Sequence, residues 1–177
     1  MKLINIELTS DNHFIAMEYY GWILNRTYLI LLINDDLVGI VANGAVSTDS
    51  GIGLARIITT QFAISGDLYN PLAYIKEKYL IKAKDLNLAN GCVKSVNKSN
   101  FRYHLSDITS VVHNPKRKWG MGPYPHNGRL YIEVNGVKRE FILLGNQSGD
   151  QISNMLLNRK KGTNKPLKDG VKKLDAL

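Results

Sequence analysis

The stretch 128–146, GRLYIEVNGVKREFILLGN, followed at 148–157 by SGDQISNMLL, decides how this chain is read. Asn135-Gly136 lies between two apolar runs, Arg129–Val134 and Val137–Leu144. An Asn-Gly pair tolerates the positive φ angles that a two-residue hairpin turn requires, so the runs are expected to pair as antiparallel strands. Behind them Ile152, Met155 and Leu156 recur at helical spacing, with Ser148 or Gly149 before them and basic residues after. Cations at that end oppose the helix dipole favourably. A helix over Asp150–Arg159, packed on a sheet by those three side chains, is expected.

Upstream, FRYHLSDITSVVHNPKRKW (101–119) continues the strand pattern. Phe101, Tyr103 and Leu105 alternate with Arg102 and His104, Ile108–His113 is β-branched, and Val93–Val96 reads as a short strand. Asn70-Pro71 opens a helix over residues 70–84, because Asn caps well and Pro at the first position loses no intrahelical hydrogen bond. Leu72, Ile75, Tyr79 and Ala83 share its apolar face. Thr27–Ile33 and Leu37–Val46 flank Asn34-Asp35-Asp36 and predict a second hairpin. The alternation of Ile4, Ile6 and Leu8 predicts a strand over 3–9, Leu54–Ile64 predicts another, and Ser47–Gly53 is a polar loop. Residues 11–24 fit a short helix or a strand equally. No internal repeat occurs.

Antiparallel strands joined by hairpins and followed by one amphipathic helix suggest a sheet that curls on itself, the helix covering apolar side chains at an open end. In this order, and with Ser106-Asp107-Ile108 where a strand passes into the next, residues 92–158 resemble bacterial pleckstrin-homology-like domains and the related GRAM domains. The resemblance implies an α+β fold: a curled antiparallel β-barrel or sandwich with a C-terminal capping helix. Here it would carry an inserted helix at about 70–85. One domain over 1–160 and a basic tail over 161–177 are expected. That fold hosts lipid binding, peptide binding and scaffolding alike, so it implies a binding module and no particular ligand.

Composition narrows the class. The 177 residues are 44% hydrophobic and 21% charged, proportions of a globular chain. The longest apolar run, Tyr28–Ile33, is far short of the ~20 residues a spanning helix needs. MKLINIELTSDNH contains no secretory pattern, and lone Cys92 can form no internal disulfide; a cytoplasmic address is expected. The net charge of +8 is uneven: residues 1–66 hold three basic and six acidic side chains, and all the excess lies downstream. Such asymmetry points to an anionic lipid, nucleic-acid or acidic protein surface.

The chemistry of catalysis is not prefigured. His104, His113 and His126 fall on different elements, and no His-x-x-x-His or Cys-x-x-Cys spacing occurs. Cys92 has no base beside it in sequence. Gly51-Ile52-Gly53 and Gly120-Met121-Gly122 lack the strand, third glycine and helix of a phosphate-binding loop, and read as turns. A protein without enzymatic activity, cofactor or metal is therefore expected. The unusual segment is the loop Asn114–Asn127, which carries Lys116, Arg117, Lys118, Trp119, Tyr124 and His126. Cations beside aromatics suit an anionic membrane interface, where Lys and Arg attract headgroups and Trp and Tyr favour the interfacial layer. The same mixture suits single-stranded nucleic acid, a lesser expectation. The alternative is that Trp119 and Met121 pack back on the sheet and the cations are merely solvated. Two functions follow: peripheral attachment to anionic lipid at the inner membrane face through residues 115–128 and the basic tail, or a protein-interaction module, including self-assembly through a sheet edge or the 70–84 helix.

Overall fold

The computed structural model of the protein describes residues 1–20, 24–44, 46, 64, 66–122 and 124–163. Among these residues seven strands form one antiparallel sheet: β1 (His13–Tyr20), β2 (Leu24–Ile33), β3 (Asp36–Asn43), β4 (Phe101–His104), β5 (Ile108–Asn114), β6 (His126–Val134) and β7 (Val137–Leu144). Their order is β4-β3-β2-β1-β7-β6-β5. Among the described residues two α-helices accompany them, α1 (Glu77–Ala83) and α2 (Gly149–Thr163).

The sheet is curled but not closed. Phe101 on β4 and Phe141 on β7 are separated by three intervening strands, which in a flat sheet would hold them roughly 19 Å apart. Their ring centroids lie 5.8 Å apart, and the Tyr103 hydroxyl accepts from Arg139 at 2.9 Å. Bending the sheet buries Phe14, Tyr28, Leu130 and Ile132 inside the curl, and Ile152 and Leu156 of α2 close its end, with Met155 partly buried beside them. His113 of β5 fixes the start of that helix: its Nδ1 lies 2.8 Å from Asp150 and its Nε2 2.9 Å from the Asn127 carbonyl.

A second apolar layer covers the outer face of β1, β2, β3 and β7. Ile15, Met17, Leu29, Leu31, Ile40 and Ile142 are buried there under Tyr74, Ala83, Leu88 and Val93. This explains why residues 11–24 could not be read. The middle of β1 is apolar on both faces, so it shows no alternation and its period is hidden.

Both hairpins form where the sequence places them. Ile33 pairs with Asp36 and Val134 with Val137, and Asn135 and Gly136 take φ values of 50° and 78°. Other expectations are corrected. Residues 3–9 are not a strand: Leu3–Asn5 is a 3-10 turn, and Leu3, Ile6 and Leu8 lie on the outer apolar layer instead of extending a sheet edge. Val93–Ser95 is likewise a 3-10 turn that buries Val93. The helix expected over 70–84 breaks in two. Asn70 does cap it, accepting from the Leu72 N–H at 3.0 Å, but Pro71–Tyr74 is 3-10. Ile75 and Lys76 are extended because the Lys76 N–H donates to the Ala42 carbonyl at the end of β3. Tyr74 is buried in place of Leu72, which is exposed. The closing helix runs on through Lys160 and Lys161 to Thr163, past the expected start of the tail; residues 164–177 lie outside the described residues, as do Ser47–Gly53 and all of the expected strand Leu54–Ile64 but its last residue.

Candidate functional site

The loop joining β5 to β6 divides its six singled-out residues into two sets. Lys116 and Arg117 are exposed, and Trp119 is 95% exposed. Gly120 follows at φ 86°, a left-handed turn that an L side chain resists. The other three residues face inward. Tyr124 is buried with its ring edge-on to Tyr74, centroids 5.8 Å apart. Met121 is buried beside it, 3.6 Å from the Tyr19 hydroxyl. The loop therefore does pack back on the sheet, through Met121 and Tyr124, while Trp119 stays outside.

His126 is the inner latch. It is buried, and its Nε2 accepts the Lys118 N–H at 2.8 Å, which places its proton on Nδ1, 3.3 Å from the Tyr124 carbonyl. Burial, reinforced by the nearby charges of Arg117 and Arg129, pulls the imidazole below the usual histidine range, against the hydrogen bond to Tyr124. The ring is thus held neutral among cations. The Lys118 ammonium turns to β7, where Glu140 holds it at 3.1 and 3.2 Å through its two oxygens. Arg129 of β6 reaches the same carboxylate at 3.6 Å.

Sequence reading missed a second polar cluster, inside the curl. Arg139 forms a two-pronged ion pair with Glu18, both N···O distances 2.7 Å, and its guanidinium lies 4.1 Å from the Phe101 ring and 4.7 Å from that of Phe141. Burial disfavours its charge, but the hydrogen bonds and charge of Glu18 outweigh that, so Arg139 is held more firmly protonated than usual. Tyr28 shares the carboxylate at 3.2 Å; burial, and then the charge of Glu18, pushes its phenol upward. The signal for this cluster was present in Val137–Leu144. A period of two places Arg139 on the same face as Phe141 and Leu143, an unusual charge in an apolar row.

Among the described residues, no three His, Cys, Asp or Glu side chains converge as metal ligands, and no helix is long and apolar enough to cross a membrane. His104 is an exposed side chain whose Nδ1 accepts from the Ser106 N–H, and Cys92 is exposed. Compared with protein-family models, curated proteins and solved structures, the chain matches none of them.

Proposed function

We propose that this chain is a non-enzymatic binding module of pleckstrin-homology-like type, attached peripherally to an anionic membrane surface through the β5–β6 loop. The strand order, the curl and the closing helix support the fold reading. The observation that carries the functional reading is Trp119, 95% exposed beside solvent-facing Lys116 and Arg117. An indole left in water loses its apolar contacts, while the interfacial layer of a bilayer accommodates both its ring and its N–H. The flanking cations draw the loop to acidic headgroups. The buried Met121 and Tyr124 hold the loop's base in place, so Trp119 is presented rather than free to fold inward.

Co-sedimentation with neutral and acidic vesicles tests the reading. Binding should require acidic lipid and weaken with salt; absence of any acidic-lipid preference overturns it. A second reading, a protein or self-assembly contact, has its own observation. Among the described residues β5 is an edge strand, and Val112 on it is 53% exposed. That contact is the one expected to persist if charge reversal in the loop leaves association unchanged.

A further inference from the structure

One ring joins the buried half of the β5–β6 loop to its exposed half. His126, buried at the start of β6, accepts the Lys118 N–H at Nε2, 2.8 Å away, while its Nδ1 lies 3.3 Å from the Tyr124 carbonyl. Lys118 is the chain neighbour of both Arg117 and Trp119, so this latch lies one residue from the side chains proposed to meet headgroups. Only a ring unprotonated at Nε2 can hold it. An imidazolium carries N–H groups on both nitrogens and accepts at neither.

The surroundings oppose that second proton. Burial disfavours the charged ring most, and Arg117 on the loop and Arg129 on β6 both repel it. The carboxylate of this neighbourhood, Glu140 on β7, is already shared by the Lys118 ammonium and Arg129. The phenols packed here are Tyr124 with Tyr74 against it, and Tyr19 of β1 against Met121. They are neutral at any pH well below ~10 and add no charge.

Docking on acidic headgroups changes this balance in one direction. The negative surface potential of such a leaflet gathers protons as well as Lys and Arg side chains. Headgroup phosphates that pair with Arg117 also cancel the repulsion it exerts on the ring. Coupling of this kind is reciprocal: a bound state that favours protonation makes protonation favour binding. We infer that attachment of the loop to an acidic bilayer is proton-coupled, His126 taking up the proton as the Lys118 latch opens. This regulation rests on the membrane reading above. In the free protein the ring stays neutral to below the usual histidine range, and in the bound protein it titrates at higher pH. Affinity is therefore level well above the bound-state value and rises as the pH falls through it.

The test measures binding of the full chain to phosphatidylcholine vesicles doped with phosphatidylglycerol, whose phosphodiester keeps one charge throughout. The pH runs from ~7.5 to ~5.5, across the range of an ordinary imidazole, with circular dichroism to verify that the chain stays folded. Affinity should rise about fivefold, the worth of one further cation near an acidic bilayer. Calorimetric titration in buffers of different ionisation enthalpy should show net proton uptake on binding. His126→Gln has an amide that can accept from Lys118 and donate to Tyr124 but cannot titrate, and it should lose both the rise and the uptake. His104→Gln, at an exposed position on β4, should keep both. Arg117→Gln should weaken binding throughout yet move the rise to higher pH, since one source of repulsion is gone. Acidic-vesicle binding that is independent of pH, or a rise and uptake that survive in His126→Gln, overturns the proton coupling and leaves membrane attachment standing. A rise displaced to lower pH in Arg117→Gln overturns it as well. Absence of vesicle binding at every pH removes the membrane reading and the coupling with it.

Discussion

Arg139 and Glu18 lie 121 positions apart in the chain and meet at 2.7 Å through two hydrogen bonds inside the curl of the sheet. The pair ties β7 to β1 where the two strands no longer share backbone hydrogen bonds. Its side chains are only 15% and 17% exposed, so water screens it little. Removing one member of such a pair leaves the other charged and uncompensated, which costs about 3–5 kcal/mol. Glu18→Gln is therefore expected to lower stability by ~3 kcal/mol in urea denaturation. The double substitution Glu18→Leu with Arg139→Met should recover most of that loss, since no lone charge remains. A double variant as unstable as the two single losses added together would show that the pair acts through packing rather than charge.

The closing helix makes a separate prediction. Leu156 is 1% exposed and lies with Ile152 against the inner core, so truncation leaves a cavity that the curled sheet cannot readily fill. Leu156→Ala should cost about 2–5 kcal/mol by the usual transfer and cavity terms. Met155, on the partly buried side of the same helix, should cost less when truncated to Ala. Thermal unfolding of the two variants checks the order, and equal small shifts would mean that α2 does not close the core.

What the sequence made legible here follows the physics of each element. Val137–Leu144 and Asn135-Gly136 were readable because alternation and turn chemistry are local signals, and both hairpins stand in register. β1 was ambiguous because Phe14 and Ile15 are both buried, on opposite faces, and such a strand loses its period. Residues 3–9 had the period of a strand, but Leu3, Ile6 and Leu8 pack on the outer apolar layer instead of pairing; alternation says which side chains want burial, not what covers them. The 70–84 helix looked continuous because nothing in its own sequence reveals that the Lys76 N–H would bond to Ala42. In the candidate site, composition marked the β5–β6 loop, but the division between outward Trp119 and inward Tyr124 arises from tertiary contact with Tyr74.

His126 predicts how stability depends on pH. Its folded-state proton affinity is lowered by burial, so the unfolded chain, with an ordinary histidine near 6.5, takes up the proton first as pH falls. The contribution of this site is fully present above that value and is lost as the pH drops below it. Protonation at Nε2 would also remove the acceptor of the Lys118 N–H, loosening the loop. The urea midpoint should fall between pH ~7.5 and ~5.5, and His126→Gln should flatten that fall while costing about 1 kcal/mol at the higher pH. An unchanged slope in His126→Gln would assign the pH dependence to another group.

The exposed set of the loop carries the functional prediction. Lys116 and Arg117 are solvent-facing, whereas Lys118 is committed to Glu140, so two cations rather than three are free to meet headgroups. At ~1 kcal/mol each near an acidic bilayer they supply ~2 kcal/mol, roughly a thirtyfold gain in partitioning. That is weak binding alone, and the fully exposed Trp119 must add to it. The electrostatic and interfacial parts separate experimentally. Lys116→Glu with Arg117→Glu should abolish acidic-vesicle binding, since repulsion replaces attraction. Trp119→Ala should weaken binding at every salt concentration by a similar factor, because the indole contributes no charge. Raising salt from ~0.1 M to ~1 M shortens the Debye length from about 10 Å to about 3 Å and should strip most of the binding in wild type. Trp119→Ala with a salt dependence steeper or shallower than wild type would mean that the ring positions the cations rather than entering the interface, and vesicle binding that survives the double charge reversal would remove the loop from the membrane contact altogether.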